Sequence, residues 1–311
     1  MAANVRLVMA HANDRAQRIA RVDFDPAKRR REHLGDCNLC GSFRFVEVSR
    51  RDRYGYDQRA VICARCGLGF LSPRLTADEY AAFYRAVYRP LVSAYHGRRI
   101  DAETVQADQA RYGDELVDFL RRALPGPPST VLDVGGSTGV VAGAVRAAFG
   151  ARATVLDPAP EELAVAGEQG METIAGFAED MQPDARSWEL VLLCQTVDHL
   201  LDVRLTVSRL REVTAPGGYL FVDVLDLPFA LRATGTIEGA IKVDHPFYLS
   251  RTTARSYLRA TGFNIVAERL SDDGHWGFLA RTGDPAEPDW PALAEGADAL
   301  LDEISARRAA T

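Results

Sequence analysis

Four of the five cysteines stand in two pairs, Cys37-x-x-Cys40 and Cys63-x-x-Cys66. The pairs are 22 residues apart, and each is followed by a glycine, Gly41 or Gly67. Two thiolates three positions apart can grip one ion from a tight turn. The glycine lets the backbone amides turn toward the sulfurs. Two such knuckles offer four soft ligands, which suits tetrahedral zinc and leaves no open coordination position. The spacing therefore predicts a structural Zn2+ on Cys37, Cys40, Cys63 and Cys66. Unrelated thiols or a redox dithiol are the competing readings. Nothing indicates secretion, which disfavours a disulfide framework. Cys194, in the apolar run LVLLCQ, reads as a small buried hydrophobe.

A second constellation is built on glycine. The turn Gly135-Gly136-Ser137-Thr138-Gly139 follows the apolar run at 131–134 and opens the helical stretch VVAGAVRAAF. Such a turn lets a ligand approach the backbone closely. The next strand-like run, ATVLD, ends at Asp157, where an acid suits a ribose diol. That pair alone fits NAD as well as S-adenosylmethionine. The dinucleotide fingerprint G-x-G-x-x-G is missed by one residue. Asp133 is the better discriminator: an acid there can meet the ammonium and water network around a methionine moiety, but would repel a pyrophosphate.

These groups need a scaffold, and the pattern of elements supplies one. FRFVEV and AVICA alternate like strands around the turn Tyr54-Gly55-Tyr56-Asp57, which reads as a zinc ribbon. A helical run follows, TADEYAAFYRAVY, with Thr76 as its cap and Glu79 completing a capping box. From about residue 101 strands alternate with helices. DELVDFLRRAL ends at the breaker Pro125-Gly126-Pro127-Pro128, and later strands are ELVLLC and GGYLFVDV. Alternation of this kind implies a parallel, doubly wound sheet whose ligands sit at the carboxyl ends of the strands.

Composition agrees. The 311 residues are 47% hydrophobic and 26% charged, which excludes a collagen-like or largely disordered chain. No apolar run approaches the ~20 residues needed to span a bilayer. The start of the chain resembles neither a signal peptide nor a transit peptide, so a cytoplasmic protein is expected. Net charge is −6. Residues 1–75 carry 15 Lys+Arg against 8 Asp+Glu, a balance of +7, and the rest carries −13. The basic front end hints at an anionic partner, although Lys28 to Arg31 could equally be a solvated tether. The acidic body argues against a protein built to coat nucleic acid.

The segment VLDVGGSTG resembles motif I of class I S-adenosylmethionine-dependent methyltransferases. LDP at Asp157–Pro158, AGFAED at 175–180, WELVLLCQTVDHLLD at 188–202 and LREVTAPGGYLFVDV at 210–224 follow in that family's order. The ribbon with LSPRLTADEYAAFYRAVY is similar to the N-terminal part of a bacterial subgroup acting on sugars and natural products. The resemblance implies an α/β fold: a Rossmann-like class I methyltransferase sheet with an N-terminal zinc-ribbon lobe. The expected organisation is a basic extension over 1–35, the ribbon and a helical substrate lobe over 36–100, the methyltransferase domain over 101–284, and an amphipathic C-terminal helix over 285–311. The implied cofactor is S-adenosyl-L-methionine. Its expected contacts are Asp133, Gly135, Gly136, Ser137, Gly139, Asp157, Pro158, Phe177, Ala178 and Gln195.

There are departures from the family pattern. Ser137 replaces the usual middle glycine, which it can do if the backbone there is not left-handed; its hydroxyl is then available to the cofactor. Phe177 stands where relatives carry an acid beside adenine, with a core phenylalanine as the alternative. Histidines in the subgroup's active site match His199, after the fourth strand of the sheet, and His245, in KVDHPFYLS. Asp244 matches an acid beside the second. Lys242 replaces a tyrosine, which puts simple transfer of the mechanism in doubt. Tyr88, Tyr95 and His96 are the substrate-side candidates from the aromatic stretch. His199 could instead only cap a helix, and His245 could only pack a loop. Asp198 is expected to face solvent or a backbone amide.

A hydroxyl acceptor needs a base, and histidine titrates near working pH. His245, with Asp244 beside it to orient the ring, is the expected principal base. The favoured reaction is O-methylation of a small polar acceptor, anionic or sugar-linked, such as a nucleotide-linked sugar or a natural-product glycoside. C-methylation of a keto-sugar is the nearest rival. Against it stand Lys242 and the lack of the further C-terminal domain that such enzymes carry. RNA methylation with the ribbon as a nucleic-acid module is a third. The tail helix, with Leu293, Ala297, Leu300, Leu301 and Ile304 on one face, is expected to pack on the domain or on a second subunit rather than on a membrane. A monomer or homodimer is expected.

Overall fold

The computed structural model describes residues 14–100, 102–181 and 186–310. Part of the basic extension, residues 1–13, and Asp101 at the expected domain boundary lie outside them. Residues 14–20 are helical (α1). The ribbon region then provides β1 (Arg31–Glu32), β2 (Phe45–Arg51), β3 (Asp57–Cys63), β4 (Gly69–Leu71) and β5 (Arg74–Leu75). Helices α2 (Ala77–Ala86) and α3 (Tyr88–His96) follow. The expected capping box on α2 does not form: Thr76 is the cap residue but makes no side-chain cap bond, and Glu79 pairs with Arg30 instead. The preceding turn thus exchanges a local cap for a tie to the N-terminal segment.

The second half begins with α4 (Ala102–Ala123), longer than the expected helix, and continues β6 (Thr130–Val134), α5 (Val140–Phe149), β7 (Arg152–Asp157), α6 (Pro160–Glu168), β8 (Glu172–Ala175) and β9 (Trp188–Leu193). Then come α7 (Val203–Val213), β10 (Thr214–Leu225), α8 (Leu227–Thr234), α9 (Ile237–Ala240), β11 (Phe247–Tyr248), α10 (Arg251–Ala260), β12 (Phe263–Leu270), β13 (His275–Thr282) and α11 (Trp290–Ala309).

Seven strands form one sheet in the order β12-β13-β10-β9-β6-β7-β8. Strands β8, β7, β6, β9 and β10 run parallel, and β13 and β12 close the edge as an antiparallel pair. The central strands β6 and β9 are apolar on both faces because helices cover both sides: Val131, Leu132, Leu190, Val191, Leu192 and Leu193 are fully buried. The chain winds outward in both directions from β6, so the strand order reverses between β6 and β9. Ligands collect at such a switch point.

The ribbon is fused to this sheet rather than tethered to it. Its own sheet has the order β11-β4-β3-β2, so one of its four strands comes from the second half of the chain. Asn38, inside the first cysteine knuckle, bonds Asp202, the backbone N–H of Arg204 and the Tyr257 hydroxyl, at 2.8, 3.1 and 2.8 Å. Arg65, inside the second knuckle, lies over the Trp290 ring. The tail helix α11 buries Leu293, Ala297, Leu300 and Ile304 against the body, as its periodicity implies. No helix among the described residues is long and apolar enough to cross a membrane.

Candidate active site

The chain leaves β6 and turns through Gly135 at φ +71, Ser137 at φ +53 and Gly139 at φ +77. The Ser137 backbone is therefore left-handed, against expectation. Its N–H donates to Asp157 Oδ2 at 2.9 Å, and its hydroxyl bonds Glu162 rather than standing free. These two bonds hold a conformation that glycine would adopt without strain. Gly136 is required for space, whereas Gly135 and Gly139 are crowded and also take a positive φ. A Cβ on Gly136 would lie 2.7 Å from the Asp133 carboxyl carbon, one on Gly135 2.9 Å from Thr196, and one on Gly139 2.4 Å from Met171.

Asp133 is buried beneath this turn, and its Oδ2 has no hydrogen-bond partner. Burial pushes its carboxyl up to about 7. A buried carboxylate oxygen without a donor calls for a cationic donor from outside the fold, which the ammonium of S-adenosylmethionine would supply. Asp157, followed by Pro158, ends β7 and accepts from Ser137 and from Ala159, so the acid also ties the two loops together. Gln195 holds a left-handed backbone at φ +50, and its N–H donates to Asp223 at 2.6 Å. Strain of this kind persists where the surroundings over-determine it. Phe177 is half exposed and is no core residue. Together with Leu156, Ile174, Gly176, Met181 and Trp188 it lines a cleft of about 200 Å³ at the ends of β7 and β8. Ala178, next to it, is buried at the start of a short turn.

The segment after β9 carries this loop into the second cluster. Thr196 lies against Gly135, and His199 follows three residues later. The His199 Nδ1 is 2.6 Å from the Tyr84 hydroxyl and 3.2 Å from the backbone oxygen of Asp244. The Tyr84 hydroxyl is itself 2.8 Å from that same oxygen. A tyrosine has one proton. If it were given to Nδ1, the Asp244 oxygen would receive no donor from either group. The network is satisfied when Tyr84 donates to Asp244 and Nδ1–H donates to Tyr84, so the network assigns Nε2 as the unprotonated nitrogen of His199. Burial holds this imidazole below its ordinary range, and therefore neutral.

The His245 ring stands 4.6 Å from that of His199. Its Nε2 is 3.3 Å from Lys242 Nζ and 3.6 Å from Asp244, and its Nδ1 is 3.7 Å from Asp198. Burial, then the field of Lys242, holds this imidazole well below its usual range. Two expectations are corrected. Asp198 is largely withdrawn from solvent, 3.7 Å from His245, and desolvation pushes its carboxyl up to about 7. The Asp244 carboxylate is too far to hydrogen-bond the His245 ring; its backbone oxygen acts on His199 instead. The ribbon builds the loop that carries these groups. Asp52 accepts from the Val243 N–H, Arg53 donates its N–H to Ile241, and Leu71 donates to Pro246.

Tyr88 packs on Tyr84 at 5.4 Å, and Tyr95 on Tyr54 at 5.5 Å, whereas His96 is exposed beside Tyr95. Tyr84, Asp198, Lys242 and Arg53 were not predicted as site residues. Tyr80, Tyr84 and Tyr88 recur every four positions, one helical face, which is the signal that could have found Tyr84. Lys242 is one of only two lysines in a chain with 37 basic residues, a contrast the sequence does carry. At the knuckles, the four sulfurs lie within 4.8 Å of one another, with Cys37 to Cys66 and Cys40 to Cys63 both at 3.5 Å. Sulfurs at the corners of a tetrahedron with bonds of about 2.3 Å are about 3.8 Å apart, so the set fits zinc. Gly41 and Gly67 both take positive φ, as the knuckle reading requires.

Residues 106–268 match the family profile described as a methyltransferase domain. The chain belongs to this family. It is 26% identical over 252 residues to the C-methyltransferase NovU of Streptomyces niveus, covering 79% of this chain and 55% of that protein. It is 31% identical over 187 residues to a ubiquinone biosynthesis O-methyltransferase of Methylocella silvestris, covering 58% of this chain and 63% of that protein. The chain therefore spans less than two thirds of the length of these relatives. Among solved structures, a Burkholderia thailandensis 1,6-didemethyltoxoflavin-N1-methyltransferase with bound S-adenosylhomocysteine aligns at 20% identity and TM-score 0.49, covering 70% of this chain and 96% of that one. The methyltransferase sheet is the Rossmann-like sheet described above, with the glycine turn at its switch point.

Proposed function

We propose that this protein transfers the methyl group of S-adenosylmethionine to a hydroxyl of a small polar acceptor, with His199 as the base. The cofactor supplies an activated methyl and its own leaving group, S-adenosylhomocysteine. Asp133 would hold the ammonium, Asp157 the ribose, and the cleft beside Phe177 the adenine, with the backbone at Gly135 and Gln195 shaping the approach. His199 Nε2 takes the hydroxyl proton while the acceptor oxygen forms its bond to the methyl carbon. The observation that carries this reading is a neutral imidazole with one free nitrogen, fixed by Tyr84, on the segment that touches the glycine turn. His245 is a poorer base than expected, because its Nε2 faces the Lys242 ammonium. A nucleotide-linked sugar or a natural-product glycoside is the favoured acceptor, and Tyr88 and Tyr95 line its approach.

C-methylation of a keto-sugar is the second reading. The similarity to a C-methyltransferase over 79% of the chain favours it. So does Lys242, whose ammonium could steady an enolate oxygen after a carbon-bound proton has been taken. RNA methylation is disfavoured, because the cysteine knuckles pack against α7 and α11 instead of presenting themselves to a partner. The cysteine cluster would hold a zinc ion that sets the ribbon and, through it, the His245 loop.

The test is His199→Gln, assayed with radiolabelled S-adenosylmethionine against a panel of nucleotide-linked sugars and glycosides. Loss of a base should lower turnover about 10²–10⁴-fold with cofactor affinity unchanged. A loss below tenfold would remove His199 from proton transfer.

A further inference from the structure

The histidine centre also has the make-up of a metal site. His199, Asp244 and His245 each offer one ligand atom, and these atoms lie within 4.8 Å of one another. Ligands on one ion, with bonds of about 2.0–2.2 Å, stand about 3–4 Å apart. An Asp244 oxygen and His245 Nε2 already have such a spacing, 3.6 Å. The His199 ring is 4.6 Å from that of His245, so small side-chain rotations bring it onto the same ion. Burial keeps both rings neutral, and each therefore carries one nitrogen lone pair.

A second observation is oxygen that no donor meets. Asp244 Oδ1 and Asp198 Oδ1 are both buried without a hydrogen-bond partner, and Asp244 is only 2% exposed. Asp198 stands 3.7 Å from His245 Nδ1, the side from which a carboxylate steadies a metal-bound imidazole. The other nitrogen, Nε2, faces Asp244 and the Lys242 Nζ at 3.3 Å. Both carboxylates act on Lys242, yet each keeps its unmet oxygen. The ammonium thus lies on the metal side of His245, one charge before two carboxylates. His199 and Lys242 keep part of their surface exposed, which gives an ion a way in. Imidazole combined with carboxylate suits Zn2+, Co2+ or Ni2+, whereas Mg2+ and Ca2+ prefer oxygen alone. Three mixed ligands hold zinc less tightly than four thiolates, so this site fills after the ribbon.

We propose that His199, His245 and Asp244 form a second metal site, for a divalent transition ion that competes with the Lys242 ammonium for the carboxylates. Its consequence rests on the methyl-transfer reading: an ion on His199 takes the lone pair that would receive the acceptor's proton, so the loaded centre is inhibited. The binding itself does not rest on that reading.

The experiment titrates Co2+ into the full chain first given one equivalent of Zn2+, which the four thiolates take, and follows visible absorption. Saturation at one equivalent is expected, with the weak d–d bands of a nitrogen–oxygen site and without the intense near-ultraviolet thiolate band of cobalt on cysteine. His245→Gln and Asp244→Asn should each weaken binding about tenfold or more. Lys242→Met removes the competing charge and should strengthen binding severalfold, which a purely structural role for Lys242 would not produce. His33→Gln, at an exposed position, should leave binding unchanged. Mg2+ in large excess should not displace the cobalt. Melting temperature, measured on every variant, establishes folding. Where a variant does not fold, the wild type decides: a second equivalent of Zn2+ should move the ring NMR signals of His199 and His245 and not that of His33. The site is overturned if no cobalt binds beyond the ribbon, if the thiolate band accompanies all bound cobalt, or if Mg2+ displaces it readily. It is equally overturned if His33→Gln weakens binding as much as His245→Gln, or if Lys242→Met fails to strengthen it. Failure of the same protein to bind S-adenosylhomocysteine would instead refute the methyltransferase reading and leave the cobalt result standing.

Discussion

Replacing Asp133 with Asn changes one buried atom and removes a charge. In the cofactor-free fold, burial raises this carboxyl from about 4 to about 7, so the group holds a proton that the unfolded chain would release. The sign follows from linkage. Stability contributed by this proton is lost as pH rises through about 7, and a bound ammonium restores it by favouring the ionised form. Cofactor affinity should therefore strengthen with pH up to about 7 and then level off. Below that, each pH unit weakens binding up to tenfold, roughly 16-fold between pH 7 and pH 5.5 and roughly 30-fold between pH 8 and pH 5.5. Asp133→Asn fits the same space but offers no charge to the ammonium. A hydrogen bond to a charged group contributes about 1.5–3 kcal/mol, so affinity above pH 7 should fall about 10–150-fold, and the pH dependence should vanish. Calorimetric titration of S-adenosylhomocysteine at pH 5.5, 7 and 8 measures both effects. A wild-type affinity flat across that range, or an Asn variant that keeps the slope, would refute the role assigned to Asp133. A thermal melt above pH 7 guards against misfolding, since the neutral variant should be no less stable than the wild type there.

Further outcomes follow from the same structure. Tyr84→Phe removes one of the two acceptors that fix the His199 tautomer but leaves the Asp244 oxygen, so one net hydrogen bond of about 0.5–1.5 kcal/mol is at stake. Turnover should fall only about 2–13-fold, and nitrogen NMR of the imidazole should show the second tautomer rising; a loss as large as that of His199→Gln would make Tyr84 itself the proton carrier. Freshly purified protein should contain about one zinc per chain by metal analysis, and Cys63→Ser should lose it along with the thermal stability of the ribbon. Asn38→Ala breaks three contacts between the first knuckle and the α7 and α10 region, which should cost about 2–4 kcal/mol and lower the melting temperature by several degrees while the zinc stays bound.

Much of this protein is local and was legible in its sequence. The cysteine knuckles are short-range devices: Cys-x-x-Cys with a following glycine sets the turn that presents both sulfurs. The glycine turn, the acid before it and the acid after the next strand are likewise spelled out over consecutive residues, because a strand, a tight turn and a helix are fixed by neighbours. Alternating strand and helix runs then imply the parallel sheet. The histidine centre is different. Its members come from α2, the segment after β9, the loop at 241–248 and the ribbon hairpin, so their meeting depends on how the ribbon docks. Nothing beside Asp198 in the chain reveals that β11 joins the ribbon sheet and that this acid comes to lie beside His245. The assignment of His199 rather than His245 as the base rests on which nitrogen finds Tyr84 and which finds Lys242, a matter of a few ångströms between residues 115 and three positions apart. Spacing along a chain determines turns and periodic faces, whereas protonation and partnership of buried groups are set by distance and desolvation, which only the packed structure decides.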